Sequence, residues 1–345
     1  MLFRSVLCTP GDVEEFVDAV VALVERPDVA EALGRNARQA VLDQYSWTRH
    51  IENVWRFVGG RTSTSGTPGP DRNLRRVDTG DSYKEEVQDQ WNSNPVGTHY
   101  ARQAKPLTRE WFEEVEAYRY SQYAPWMPSV MEFNLHANHD VLEIGGGVGT
   151  DLVQFAKHGA RVTDLDLSAG HLELAQENFN ARQLSGRFVH HDAEKLPFDD
   201  NTFDLVYSHG VLHHTPNTRS VVDEIRRVLR PGGRAIVMMY AEESLHYWRE
   251  LVWRLGLERD MLTHHSMGEI MSRSVEISQS DARPLVKVYT ASRLRRLFEA
   301  FDQRVVFKRQ LMHVELPGWL KWIPLDMAGK LMGWNVIIKA TKPLA

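Results

Sequence analysis

Cysteine is nearly missing from this chain: Cys8 is the one among 345 residues. Neither an intramolecular disulfide nor a cysteine-cluster metal centre can be built from it. Long apolar runs are also missing, and none approaches the ~18–20 residues that a membrane-spanning helix needs. Excess positive charge is missing too. The balance of 41 Lys and Arg against 46 Asp and Glu gives −5, so no nucleic-acid partner is expected. The opening residues, MLFRSVLCTP, are too short and too interrupted for a signal peptide. A reducing, cytoplasmic compartment is the expectation. What is present is an ordinary globular composition, 42% apolar and 25% charged, in a chain long enough for two domains.

Residues 12–58 read as helices. Asp12 is placed to cap a helix with Phe16, Val17, Val20 and Val24 on one face, ended by Pro27. A second helical pattern carries Leu33, Ala37, Val41 and Leu42, and Ser46 opens a third with Ile51, Val54 and Trp55. Residues 59–82 are glycine, serine, threonine, proline and charge, the composition of a flexible linker. Helical segments with many aromatic residues follow in 83–135.

From residue 140 strands and helices alternate. DVLEIGG, RVTDLDLS, RFVHHD, TFDLVYSHG and PGGRAIVMMY read as strands. Between them lie helices at 149–158, after Ser168 (Leu172, Ala175 and Phe179 inward), and at Val221, Val222, Ile225, Val228 and Leu229. This spacing predicts an α/β fold, a mostly parallel sheet with helices on both faces, and such sheets bind ligands at the carboxyl ends of their strands. QRVVFKRQL and GWNVIIKATKP supply the last two strands. Residues 136–345 form the core, with insertions at 241–290 and 311–333. Phe198, Phe203 and Leu205 are assigned to the interior, and Gly232 and Gly233 to a turn.

VLEIGGGVGT (141–150) turns from the first strand into the first helix. Glycine there lets a ligand approach the backbone closely, and helix N–H groups point at it. A nucleoside-triphosphate loop would need a GxxxxGK[ST] pattern, and no lysine follows. A dinucleotide turn wants GxGxxG, but its third glycine position holds Thr150. The spacing present is Gly145, Gly147 and Gly149, with Glu143 two residues ahead. A tight turn without a ligand remains the alternative. Asp166 ends the second strand, where a carboxylate suits a ribose diol, and Asp192 ends the third, where one suits an amino group of a base.

With these residues in place the chain resembles the class I S-adenosylmethionine-dependent methyltransferases, and in particular the branch of the ubiquinone and menaquinone C-methyltransferases. The matching stretches are VLEIGGGVGTDL, VTDLDLS, DAEKLPFDDNTFDLVYSHGVLHHTPN and RVLRPGGRAIVMMY. The resemblance implies a Rossmann-like, seven-stranded sheet whose last strand runs antiparallel. It implies S-adenosyl-L-methionine as cofactor. Glu143, Gly145, Gly146, Gly147 and Gly149 would hold its methionine part, and Asp166 its ribose. Leu167, Asp192 and Ala193 would hold the adenine, and Ser208 and His209 would border the methyl group. The helices of 83–135 would cover the cofactor, with Arg119 pairing its carboxylate; the plainer reading has Tyr118, Tyr120 and Trp126 only packing this cap onto the sheet.

Methyl transfer from a sulfonium needs alignment first, and a base only when the acceptor holds its proton near neutral pH. His209, His213 and His214, in SHGVLHHTP, are the candidates for that base, or else residues that pack the next helix. No ligand spacing suggests a metal. The acceptor is expected to be a small molecule, a glycan or a lipid-linked intermediate, methylated on oxygen or carbon. Residues 316–333 are apolar enough to meet a lipid surface or simply to cover the sheet.

Residues 8–57, from CTPGD to YSW and the helix beyond, resemble the C-terminal tail of the two-lobed retaining glycosyltransferases. The sugar-nucleotide lobe that would precede it is not in this sequence, so no sugar transfer is expected. The rival readings are a nicotinamide-dependent oxidoreductase and a non-catalytic binding protein of the same fold.

Overall fold

The computed structural model describes residues 13–44, 79, 81–93, 95, 97–101, 103–275, 284–312, 314–316, 318 and 322–344. The chain divides into two compact units, Met1–Gly69 and Pro70–Ala345.

In the first unit α1 (Val13–Glu25) and α2 (Pro27–Gln44) follow each other directly. Pro27 does not only end α1. It is the first residue of α2, where its missing N–H costs nothing. The valine stripe on α1 is present but uncovered: Val17, Val20 and Val24 are all exposed. The third helix expected after Ser46, the CTPGD and YSW motifs and most of 59–82 lie outside the described residues.

The second unit opens with α3 (Ser82–Ser93) and α4 (Arg109–Tyr118). Thr108 caps α4 by accepting from the Trp111 N–H, and Trp111, Phe112 and Val115 form its buried face. The helix runs on into a wider π turn, Arg119–Tyr123, followed by α5 (Met127–Val130). Then comes the alternating core: β1 (Asp140–Ile144), α6 (Thr150–Lys157), β2 (Arg161–Asp166), α7 (Ala169–Ala181), β3 (Arg187–His190), β4 (Phe203–His209), α8 (Thr218–Val228) and β5 (Leu229–Ala241). Ser168 caps α7 as its position suggests, accepting from the His171 N–H.

The sheet order is β3-β2-β1-β4-β5-β8-β7, where β7 is Asp302–Arg309 and β8 is Asn335–Thr341. Strand β8 runs against both of its neighbours, pairing antiparallel with β5 and β7. The seven expected strands are joined by an eighth, β6 (Val288–Tyr289), from the insertion at 241–290. It pairs parallel with Tyr240 and Ala241, past the point where β4 ends opposite Met238. Leu229 is a correction: it sits in β5 opposite Phe203, not on the helix face. Between Leu229 and Arg234 the strand bulges, and Gly232 takes a φ of +77° there.

Strand β1 is central and covered on both sides, which is why it reads as a nearly continuous apolar run. Leu142 and Ile144 face the cluster closed by Val221, Val222 and Ile225 of α8, with Phe198 and Phe203 in the same cluster. Val141 faces the other cluster, with Leu205, Leu152 and Phe155 of α6, and the cap residues Met127 and Met131. The insertion carries its own apolar cluster from a π helix, His246–Glu258, and α9 (Met267–Ser274). Among the described residues the remaining α-helices are α10 (Ala291–Leu297) and α11 (Leu325–Met332).

Candidate functional site

The carboxyl ends of β1, β2 and β4 open into a cavity of about 430 Å³, roofed by the aromatic cap. Glu143, Gly145, Gly146, Gly147, Asp166, Leu167, Asp192, Ala193, His209, His214 and Arg119 all line it. The sequence placed these residues at a site, and the fold brings them together.

The glycine turn is built by close approach. Gly145 has φ +75°, and a Cβ there would lie 2.3 Å from Val211 Cγ2. At Gly146 a Cβ would lie 2.6 Å from the Asp164 carboxylate, to which its N–H donates at 3.1 Å. Gly147, at φ +58°, has nothing near its Cβ position, and its N–H donates to Asp166 Oδ2 at 3.4 Å. Gly149 opens α6 in the left-handed region but does not line the cavity. A Cβ there would lie 3.1 Å from that of Ala175 of α7, so the missing side chain leaves room for α7.

Two further expected residues are corrected. The Ser208 hydroxyl is spent on the Ile144 carbonyl at 2.9 Å, tying β4 to β1, and does not line the cavity. His213 lies in the interior behind it, its ring 3.9 Å from Tyr240 and 4.2 Å from His214, with neither ring nitrogen hydrogen-bonded. Burial and then the neighbouring imidazoles keep it uncharged far below the usual histidine range.

Arg119 and Asp192 have protein partners that the sequence reading missed. Arg119 donates twice to Asp151, Nε to Oδ1 at 2.7 Å and Nη2 to Oδ2 at 2.6 Å. The same carboxylate accepts from the Tyr120 hydroxyl at 2.6 Å and the Tyr207 hydroxyl at 2.8 Å. Burial pushes the Asp151 carboxyl up, but the Arg119 charge and its hydrogen bonds outweigh it and hold it at about 2. Asp192 receives Lys84 of α3 at 2.6 Å, which also reaches Glu194 at 2.7 Å. Burial lowers the Lys84 ammonium, and the two carboxylates more than restore it. The acid at the second position of α6 and the basic residue near the start of α3 were the signals for both pairs.

Asp166 is itself held in place, its Oδ1 accepting from the Ser168 N–H at 2.8 Å and its Oδ2 lying 3.3 Å from His171 Nδ1. Glu143 is the exception. It is 2% exposed, and its Oε2 has no hydrogen-bond partner. Burial, then the charges of Asp151 and Asp164, raise its carboxyl well above the ordinary range. A buried carboxylate oxygen facing a cavity without a partner fits a cationic ligand.

The histidines divide sharply. His209 is held down to about 3 by burial and by the Arg119 charge, so it is neutral at physiological pH. His214 Nδ1 lies 2.7 Å from the Leu285 carbonyl, which makes Nδ1 the donor and Nε2 the acceptor of the neutral ring.

Residues 142–237 match the family model of a methyltransferase domain. The chain is 37% identical over 108 residues to a sterol 4-C-methyltransferase of Caenorhabditis elegans, covering 31% of this chain and 32% of that protein. It is 38% identical over 109 residues to a demethylmenaquinone methyltransferase of Clavibacter sepedonicus, covering 30% and 42%. The chain thus spans only 32% and 42% of the length of these two curated relatives. A solved SAM-dependent methyltransferase of Methanosarcina mazei is 20% identical, with a TM-score of 0.46, over 63% of this chain and 98% of that one. The matched segment, which carries most of the glycine turn, Asp166, Asp192 and the fourth strand, is thus similar to a methyltransferase domain.

Proposed function

We propose that this protein transfers a methyl group from S-adenosyl-L-methionine to an oxygen or carbon of a small molecule. The observation that carries the reading is Glu143, a buried carboxylate oxygen with no partner, set beside the glycine turn in a cavity edged by Asp166 and Asp192. That combination suits a ligand with an ammonium and a sulfonium at one end and a ribose and adenine at the other. Bound there, the cofactor supplies an electrophilic methyl that needs no metal to activate it.

The chain's own residues do the rest. Glu143 and the turn amides hold the methionine end, and Asp166 accepts from the ribose hydroxyls. Asp192 and Ala193 meet the adenine edge, and Leu167 packs on its face. Arg119, oriented by Asp151, lies on the cavity wall for the carboxylate. The aromatic cap excludes water. His214 takes the acceptor's proton, because His209, held at about 3, is too weak a base near neutral pH. The test is calorimetry with the cofactor and its demethylated product. Asp166→Ala should weaken binding by about 1.5–3 kcal/mol, roughly ten- to a hundred-fold. Unchanged affinity in a folded variant would remove the ribose assignment.

Two finer readings belong with this proposal. Trp322, Met327 and Leu331 are exposed, which supports contact of 316–333 with a lipid surface; vesicle sedimentation of the Trp322→Ala and Leu331→Glu variants tests it. The kinship of 8–57 with a glycosyltransferase tail rests on its sequence motifs, and would make a sugar-bearing acceptor a natural first trial.

A further inference from the structure

The loop between β4 and α8 carries His213 and His214, and a segment of the insertion grips it. Residues 285–288 alternate in what they meet, as an extended chain does. Val286 and Val288 are buried in the insertion's own apolar cluster. Leu285 and Lys287 meet the loop instead. The Lys287 N–H donates to the His213 carbonyl at 3.0 Å, and the Leu285 carbonyl lies 2.7 Å from His214 Nδ1.

The Lys287 side chain grips the same loop further on. Its ammonium donates to the carbonyls of Thr215 at 2.9 Å and Pro216 at 2.7 Å, and to the Thr218 hydroxyl at 3.2 Å. That hydroxyl oxygen also accepts from the Tyr289 hydroxyl at 3.1 Å, and it donates to the Leu212 carbonyl at 3.2 Å. All three ammonium donors are therefore spent between His214 and the first residue of α8. Burial pulls this ammonium below the usual lysine range, so a charge is kept here at a cost. What it gains is firmness, because bonds from a charged donor are roughly twice as strong as neutral ones. The Leu285 carbonyl is held from the cap as well, since the N–H of the same residue donates to the Tyr83 hydroxyl of α3.

We propose that Lys287 and Tyr83 are positioning residues for His214, holding the Leu285 carbonyl against Nδ1 so that Nε2 keeps the lone pair that accepts a proton. A neutral imidazole carries one N–H, and the bond made by one nitrogen decides what the other can do. Free histidine in water favours the proton on Nε2, the opposite arrangement. Without the clamp His214 relaxes toward that form and offers a donor where a base needs a lone pair. The proposal rests on the reading of His214 as the base, but the tautomer of its ring is measured with neither cofactor nor acceptor present.

The experiment is a two-bond proton–nitrogen spectrum of the full chain labelled with 15N-histidine, at pH ~8.5 where an ordinary imidazole is neutral. The His214 signals, identified by their loss in His214→Asn, should show Nδ1 protonated and Nε2 bare. In Lys287→Met and in Tyr83→Phe the share of ring protonated on Nε2 should rise at least threefold. Lys287→Arg keeps the charged donors and should keep the parent pattern. S-adenosylhomocysteine affinity, read by calorimetry, should stay within twofold in all of them. A merely structural role would lower thermal stability and leave the tautomer as it was. A parent ring protonated on Nε2, or a tautomer unchanged in both variants, overturns the proposal, and an unchanged ring in Tyr83→Phe alone overturns the part given to Tyr83. If Lys287→Met does not fold, Lys287→Gln replaces it with the same expected shift. Failure of S-adenosylhomocysteine to bind the parent chain overturns the methyl-transfer reading alone, and the spectra still decide the clamp.

Discussion

Asp151 and Arg119 join the first turn of α6 to the cap through two parallel hydrogen bonds of 2.7 and 2.6 Å, and two tyrosine hydroxyls close the same carboxylate from either side. The pair lies at the cavity wall, and Asp151 is 3% exposed. Removing one partner of such a pair strands the other charge. Asp151→Asn should therefore destabilise the protein by about 3–5 kcal/mol and weaken cofactor binding with it. The carboxyl is depressed to about 2 from an unfolded value near ~3.9, so its contribution is complete above pH ~4 and lost as pH falls toward 2. Urea denaturation of both proteins between pH 2 and 6 checks this. A variant within 1 kcal/mol of the parent at pH 6 would show that the pair holds nothing.

Glu143 gives the opposite pH sign. Its raised carboxyl keeps a proton in the ligand-free fold where an ordinary glutamate has lost it. With respect to this group, stability is complete below the unfolded value of ~4.3 and declines as pH rises through the raised one. A cationic ligand favours the ionised form, so cofactor binding should release a proton, and affinity should rise with pH. Calorimetry in buffers of different ionisation enthalpy measures that release. Glu143→Gln should abolish it and weaken binding. Buffer-independent heats for the parent protein would rule out a protonated Glu143 in the free state.

The glycine turn makes a prediction with a built-in control. Gly145→Ala must place its methyl against Val211 as well as adopt φ +75°, and should cost about 2–4 kcal/mol. Gly147→Ala meets no neighbour and should cost only the ~1–2 kcal/mol of a left-handed alanine. Val211→Ala should recover part of the first loss and none of the second. A double-mutant cycle on thermal stability reads the coupling, and a value near zero for Gly145 with Val211 would contradict the close contact.

For the proton, His214→Asn should lower single-turnover methyl transfer by ~10²–10⁴ with cofactor affinity nearly unchanged. His209→Asn should change the rate less, since a ring held at about 3 is a poor base at pH 7. Near-native transfer by His214→Asn with a protonated acceptor would leave positioning alone to carry the reaction.

Much of this site was legible in the residues themselves because its signals are local. The order of strands and helices follows from runs of apolar residues and from caps such as Ser168, which act within a few residues. The glycine turn, Asp166 and Asp192 stand at strand ends, and in a parallel sheet all those ends meet on one edge. The alternation of strands and helices therefore determined a mostly parallel sheet and most of the cavity floor, while the antiparallel last strand was implied by the family resemblance.

Tertiary structure decided what depends on partners distant in the chain. Arg119 turned out to hold Asp151, 32 residues away, and Lys84 to hold Asp192, 108 residues away. Three histidines within six residues were equivalent on paper. Only packing separated His213, enclosed behind Tyr240, from His214, turned to the cavity and oriented by Leu285. Ser208 and Gly149 looked like ligand residues from their neighbours in sequence, yet one ties two strands and the other admits Ala175. The physical reason is the same in each case. A backbone turn is specified by the few residues that form it, whereas burial, charge pairing and the direction a ring faces are set by whatever the rest of the fold places opposite.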